Sequence, residues 1–422
     1  MKEKIYENYF FFLISVVPIS IILGSTISLL NILLLGFSSL IVINYKQSNF
    51  YKDISFKLLI IIYLYLIFNS LISLDFSLGF KRNFGFIRYI FLFLAINYAF
   101  FKYPKFRSFF IIWLLISLVV VFDIYFEKVN GTNILGYGWS GGYRIVSFFK
   151  NEPIVGGFIF SFYLMILGYL FENYYEKKFN LKKLLIFSFL FLTLISIFIT
   201  GERSNTIKAI FALFIFFGLT DKISFKQKVI SILIFFIIFS GTLYYLLNPK
   251  DDKKSFLQYR YGKLFLNHFK TKESTDKFLR TNIYIKIYKS GIEVFKNDPI
   301  LGVGNKNYRH VTCKIKKSEA PYICQTHPHQ IFIEFLAEHG LFGSIILLGI
   351  LFFLLFKILK EILITRNSIQ IACFSYLISI FLPLLPSGSF FSNFNSTIFW
   401  LVFSIMYACN KNTNIFFKNK LS

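Results

Sequence analysis

Apolar residues run along this chain in long blocks, broken by short gaps in which Lys is the usual charge. A helix needs about 20 apolar residues to cross the hydrocarbon core of a bilayer. Measured against that length, the pattern predicts twelve crossings, at about 8–24, 26–44, 58–74, 84–101, 108–126, 153–172, 184–200, 204–220, 229–247, 330–356, 367–386 and 390–409. The first block has a basic start in Lys2 and Lys4 but no small-residue cleavage site, and a second apolar block comes at once after it. It does not read as a cleaved signal peptide. No internal repeat or low-complexity linker is evident. The expected fold class is an all-α polytopic membrane protein of about twelve transmembrane helices. Helices 1–9 fall in 1–247, one large helical loop domain in 248–329, and helices 10–12 with a tail in 330–422.

Composition points the same way. A chain of 422 residues would ordinarily suggest two or three soluble domains. Here 56% of residues are hydrophobic and 16% charged, against roughly 25% charged in soluble proteins. Intrinsic disorder, a secreted disulfide scaffold and a soluble nucleic-acid binder are excluded. The net charge of +25 invites a nucleic-acid partner, but the Lys residues cluster in the gaps between apolar blocks. With 59 Phe and 26 Tyr, the chain also suits an AT-rich genome, so codon bias accounts for part of the basic excess. No nucleic acid is expected.

The Lys/Arg bias of alternate gaps sets orientation. With the N-terminus inside, the cytoplasmic gaps hold 21 of the 46 Lys and Arg, and the short outer gaps hold eight even when flanking Arg88 and Lys208 are included. The remaining 17 lie in the long segment, which the rule does not count. Both termini are expected in the cytoplasm. Arg82, Arg144, Glu152, Glu202 and Arg203 then share the outer face with the long loop. The cytoplasmic gaps hold no Gly-rich phosphate loop and no paired acidic motif, which argues against ATP or a nucleotide sugar as an intracellular substrate.

A loop as long as 248–329 is usually functional. Ile283, Ile285, Ile287, Ile292, Val294 and Phe295 recur among Lys286, Lys289, Glu293 and Lys296 and predict a helix. Asn297-Asp298-Pro299 ends it, Gly302 and Gly304 make a turn, and a short second segment runs from Asn305 to Val311. Cys313 and Cys324 are open to a disulfide, to two thiols, or to a zinc site with His327 and His329. The Cys-x2-His spacing is weak without a second matching pair. Cys373 and Cys409 lie in apolar blocks and read as core. Asp251-Asp252 resembles a metal-binding pair only superficially, because Lys253 and Lys254 come next.

Arg203 stands in a turn of about three residues between two apolar blocks, and an ionised guanidinium at a membrane boundary is costly without a partner. Either it pairs with Glu202 or reaches the interface, or it serves an anion, for which its planar fork is suited. Arg144 and Arg280 lie on the same side, and three convergent Arg would fit a multiply charged ligand. His327 and His329 sit at the mouth of the tenth helix, and His is the side chain best suited to moving a proton near neutral pH. At i, i+2 they do not share a helix face, so one at most is expected in a given site. His268 and His310 read as bland, and His339 lies farther along the helix. Glu334 is explained by the helix macrodipole; Glu338 is deeper and is not.

Four stretches together resemble the O-antigen ligase and O-antigen polymerase superfamily of envelope glycosyltransferases. The gap from Tyr143-Arg144 to Glu152, before Pro153, looks like its Arg-containing outer gap. Thr200-Gly201-Glu202-Arg203-Ser204 is similar to its Thr-Gly-x-Arg turn. Arg280, with Asn297-Asp298-Pro299 and Gly302 and Gly304 after it, resembles the Arg…Pro-Leu-x-Gly-x-Gly stretch that enters its periplasmic loop. The segment from His327-Pro328-His329 through Glu338 and Gly340 to Gly343 resembles the His-Asn-x-x-Leu…Glu-x-Gly-Leu-x-Gly signature that closes it. Gln330, where Asn is usual, and Glu202 depart from the pattern.

The resemblance implies glycosyl transfer at the outer leaflet of a bacterial inner membrane, without metal, cofactor or nucleotide. The donor would be a glycan on undecaprenyl diphosphate and the acceptor a sugar hydroxyl on lipid A–core or on a growing glycan. His329 would be the general base, Arg203 and Arg280 would neutralise the leaving diphosphate, and Arg144, His327 and Glu338 would contact substrate. The single large loop leans towards a ligase. A polymerase of the same superfamily is the rival, and a non-catalytic lipid-linked glycan carrier is a third reading; carriers often show inverted repeats, and none is seen.

Overall fold

The computed structural model describes residues 2–43, 49–138, 144–176, 180–247, 258–263, 266–316 and 319–418. Among them every regular element is helical. The first block carries α1 (Lys2–Ser15) and α2 (Val17–Leu23), bent by 44°. The break falls just before Pro18, whose ring and missing N–H interrupt the helical ladder. Next along the chain are α3 (Ser25–Val42), α4 (Ile54–Leu71), α5 (Phe76–Phe84), α6 (Ile87–Lys102), α7 (Phe109–Asn130), α8 (Val155–Tyr174), α9 (Leu181–Ile199), α10 (Arg203–Leu219) and α11 (Phe225–Leu247). Then come α12 (Lys272–Thr281), α13 (Ile283–Asn297), the single turn α14 (Tyr308–His310), α15 (Ile331–Thr365), α16 (Ser368–Ile380), α17 (Asn393–Ala408) and α18 (Ile415–Lys418).

Seven described helical stretches are long and apolar enough to cross a bilayer, or eight if the bent α1–α2 pair is one span. The chain is a multi-pass membrane protein, and seven or eight of the twelve expected crossings are seen as full-length apolar spans among the described residues. The blocks at 204–220, 367–386 and 390–409 fall on helices of 17, 13 and 16 residues. At 1.5 Å per residue, 13 residues reach only about 20 Å. Pro383 and Pro386 explain why α16 stops at Ile380: neither can donate to a helix, and each restricts the residue before it.

The chain forms two compact units. The first comprises Met1–Phe109, Asn282–Thr365 and Ile380–Ser422. In it α3 and α17 pack on α6, α4 packs on α5 and α15, and α13 lies along α15. Aromatic rings fill the α6–α17 seam, with Phe86 edge-on to Trp400 at 5.1 Å and Phe93 to Tyr407 at 5.5 Å. The second unit comprises Phe110–Thr281 and Arg366–Ser379. Its centre is α8, where Phe162 meets Trp113 of α7 at 5.1 Å and Phe171 meets Phe216 of α10 at 5.2 Å. Gly168 lets α16 approach so closely that a Cβ there would stand 2.7 Å from the Ala372 Cβ.

A break in the longest helix organises the loop packed against it. α15 leaves helical geometry at Gly340, with φ +63° and ψ −169°, a region that is essentially reserved for glycine. The break strands backbone groups, and the loop after α13 takes them up. The N–H groups of Leu341 and Phe342 donate to the carbonyls of Pro299 and Ile300 at 2.8 and 3.0 Å. The carbonyls of Ala337 and Glu338 accept from Val303 and Gly304 at 3.1 and 2.9 Å. A Cβ on Gly340 would overlap the Ile300 carbonyl, and one on Gly302 would overlap the Gly340 nitrogen. The Gly302/Gly304 turn and the Glu338–Gly340 segment are thus two halves of one seam.

Candidate active site

In the first unit, the loop that enters α15 carries the histidine pair. His329 adopts φ +58°, a left-handed conformation that is uncommon outside glycine. Its carbonyl accepts the Ser387 N–H at 2.8 Å, and the Ser387 carbonyl faces His327 Nε2 at 3.3 Å. A carbonyl only accepts, so Nε2 carries the proton and His327 Nδ1 takes the Thr326 hydroxyl at 2.9 Å. The turn at His329 folds the chain back, and the two rings stand 4.0 Å apart. The expectation that only one of them enters a given site held for helical geometry; this segment is not helical. Tyr284 of α13 meets the His329 ring edge-on at 5.7 Å.

Burial lowers the basicity of both imidazoles. His327 is pushed down to about 4, first by burial and then by His329 and the Arg82 guanidinium, against its bond to Ser387. His329 is also lowered by burial, again opposed by the Ser387 contact. Burial thus favours the neutral form of both rings. His339 has a different place: it is fully buried against Phe391 at 5.2 Å and Tyr65 at 5.8 Å and reads as core.

Glu334 proves more than a helix-dipole partner. It is 0% exposed, its carboxylate accepts the Ser389 hydroxyl, and it accepts the Phe390 N–H at 2.9 Å. It therefore ties down the 387–390 segment, and Ser387 in turn holds the histidine pair. Glu338, one turn on, is 1% exposed and accepts the Tyr308 N–H at 3.4 Å; its other oxygen is buried with no hydrogen-bond partner among the described residues. Arg82 lies within electrostatic reach of His327, Glu334 and Glu338.

In the second unit, Glu202 is buried and accepts the Gly156 and Gly157 N–H groups at 2.7 and 3.1 Å and the Asn205 amide at 2.6 Å. It caps the N-terminus of α8. Burial raises its carboxyl to about 7, against these hydrogen bonds and the nearby Arg144. The backbone after Arg144 is fixed by α7: the Val146 and Ser147 N–H groups donate to Glu127 at 3.1 and 2.6 Å, and the Ser147 hydroxyl donates to Asp123. Arg203 is half-buried at the first residue of α10, and Arg280 is exposed on α12. The structure thus brings together His327 and His329, with Glu338 in the same unit, and separately Arg144 and Glu202. Tyr143, Asp251 and Asp252 lie outside the described residues.

Cys313 and Cys324 are joined in a disulfide with Cα atoms 4.5 Å apart, which overturns the zinc grouping, and Cys373 and Cys409 are buried. Sequence reasoning missed Asp123, Glu127 and Ser387 and undervalued Glu334. For Asp123 and Glu127 a signal existed: two acids at i, i+4 in or beside an apolar block share one helix face and call for partners.

These features define a multi-pass helical membrane protein with polar clusters gathered at helix ends. The family model described as O-antigen ligase matches residues 188–348, a stretch that holds Arg203, Arg280, His327, His329 and Glu338. Over those residues the chain is similar to the O-antigen ligase family. No curated protein matches the chain.

Proposed function

We propose that the chain is an O-antigen ligase-type glycosyltransferase of the bacterial inner membrane, with both termini in the cytoplasm and segment 248–329 on the outer side. It moves a glycan from undecaprenyl diphosphate to a sugar hydroxyl of lipid A–core. His329 takes the proton of the acceptor hydroxyl, the freed oxygen attacks the anomeric carbon, and the bond from that carbon to the diphosphate oxygen breaks. Arg203 and Arg280, aided by Arg144, neutralise the diphosphate as it leaves on its lipid, in the part that a metal plays in other transferases. His327 lines the acceptor side. Glu338, expected to contact substrate, is buried, and it acts through the Tyr308 backbone that it holds.

The observation that carries this reading is the histidine pair. Two imidazoles 4.0 Å apart, fixed by Ser387 and kept unprotonated by burial, supply a base ready at neutral pH. The test is His329→Ala. Glycan transfer should cease while the folded protein and its lipid-linked donor persist; transfer at the normal rate would overturn the assignment. Deleting the protein separates ligase from polymerase. Long polymer accumulating on the lipid carrier marks a ligase, whereas single repeat units attached to core mark a polymerase.

A further inference from the structure

The loop that closes the α15 seam also gathers positive charge. The Asn305 N–H donates to Asn69 Oδ1 of α4 at 2.9 Å, and the Asn305 amide donates to Asn83 Oδ1 of α5 at 2.6 Å. Asn307 exchanges two bonds with the backbone of Asp75 at 2.8 and 3.2 Å. Lys306 stands between these two anchors with φ +66°, and Arg82 is the chain neighbour of Asn83. The Asn83–Asn305 bond therefore sets Arg82 and Lys306 beside each other. Lys81 and Arg309 flank them, and all three neighbours repel the Lys306 ammonium, adding to the effect of its burial. Arg82 and Lys306 are half-buried, and neither side chain has an ion pair or hydrogen bond among the described residues. Glu338, with its partnerless oxygen, lies within electrostatic reach of both, and Glu334, whose carboxylate is taken up by Ser389 and Phe390, within reach of Arg82.

Gathering cations in partly buried space is costly without an anion to neutralise them. A second feature says how that anion arrives. An apolar groove of about 610 Å³ runs between α4 and α15, lined by Ile61, Leu64 and Phe68 on one side and Phe342, Ile345 and Ile350 on the other. Phe68 is the chain neighbour of Asn69, the anchor of Asn305. The groove thus ends where the cation loop is fastened.

We propose that Arg82 and Lys306, with Lys81 and Arg309 at the rim, bind a phosphoryl group carried by a lipid whose chain lies in the α4–α15 groove, and that this lipid is the acceptor. The guanidinium supplies a bidentate fork and the ammonium a point charge, a pairing suited to a phosphoryl dianion. The word acceptor rests on the glycosyl-transfer reading. That reading assigns the donor diphosphate to Arg203 and Arg280, whereas this cluster shares a unit with the proposed base. The binding claim stands without it.

Full-length protein in neutral phosphatidylcholine nanodiscs is titrated with inorganic pyrophosphate. In a second arm, bound phosphatidic acid and phosphatidylcholine are counted by native mass spectrometry. Phosphatidic acid should be retained in preference to phosphatidylcholine. Arg82→Gln with Lys306→Gln should weaken that retention about tenfold or more, while Arg203→Gln leaves it intact. Arg82→Gln alone, which removes no hydrogen bond or ion pair, should show the same direction without changing the unfolding temperature. Unaltered retention in the double variant overturns the proposal. Pyrophosphate binding that persists in Arg203→Gln with Arg280→Gln, is lost in Arg82→Gln with Lys306→Gln, and is as tight as that of phosphatidic acid overturns the lipid-borne source in favour of a free anion. If His329→Ala still transfers glycan, the acceptor role falls while the lipid-binding result remains, so the two failures are told apart.

Discussion

Replacing Gly340 by Ala tests whether the seam in α15 holds the site together. Two costs add. At φ +63° and ψ −169° a side chain carries about 1–3 kcal/mol of backbone strain. The new Cβ would also overlap the Ile300 carbonyl, and relieving such overpacking costs about 1–3 kcal/mol. The sum is about 2–6 kcal/mol, a large share of a typical domain's stability. Gly349, farther along the same helix, is the control for stability alone, because it lines the α4–α15 groove. It has helical backbone and nothing within 4 Å of where a Cβ would stand, so Ala there should stabilise by about 0.5–1 kcal/mol. One methyl group, added twice to one helix, is thus expected to act with opposite signs. Unfolding monitored in nanodiscs by tryptophan fluorescence, beside a glycan-transfer assay, reads both. Gly340→Ala should melt several degrees lower and lose most transfer. A Gly340→Ala protein within about 0.5 kcal/mol of wild type, inside ordinary surface-substitution scatter, would refute the seam.

The buried carboxylates and the histidines carry three further expectations. Glu334→Ala leaves the Ser389 hydroxyl and the Phe390 N–H buried without an acceptor, at about 1–3 kcal/mol each; turnover should fall more than donor affinity, and an unchanged turnover would remove Glu334 from the support of His329. Because burial holds His329 below its ordinary value, transfer should rise with pH only through the acid range and be flat above about pH 7, the usual value for a free imidazole being about 6.5. A rise that continues past pH 8 would identify a different base. Glu202 has its folded carboxyl raised from 4.5 to about 7, so its contribution is fully present below 4.5 and lost as pH rises through about 7. The melting temperature should therefore drop between pH 5 and pH 8 in the wild type, and the drop should shrink in Glu202→Gln.

Much of the helical plan was legible because length and apolarity decide it, and each of the twelve apolar blocks falls on a helix. The helix ends were less legible, because Pro18, Pro383 and Pro386 act on geometry that a hydropathy window averages away. At the site, the chemistry of single residues was readable but not their pairing. Gly302 and Gly340 stood out as motif glycines, yet nothing in their spacing says that one fills the gap left by the other. Glu334 was explained too easily by the helix dipole, since sequence does not report that a carboxylate is buried under Ser389. Arg82 was noticed only as an outer-gap charge. Its partnerless state depends on asparagines in α4 and α5 that meet a loop more than 200 residues away.

The short N-terminal half of α15 then has a definite task. Glu334 and Glu338 lie four residues apart and so on one helix face, about 6 Å along the axis. The first holds segment 387–390, to which the histidine pair is fastened, and the second holds the loop that carries Lys306. A base and an anion site are thereby hung from one turn of helix, and the break at Gly340 separates that turn from the membrane-crossing half. Rigidity between the two carboxylates would set the distance from the acceptor's phosphoryl group to its reacting hydroxyl, which is how positioning lowers a barrier. The two residues should therefore not act independently: removing both carboxylates should cost less than the sum of the single losses, because either loss already frees one end of the same ruler.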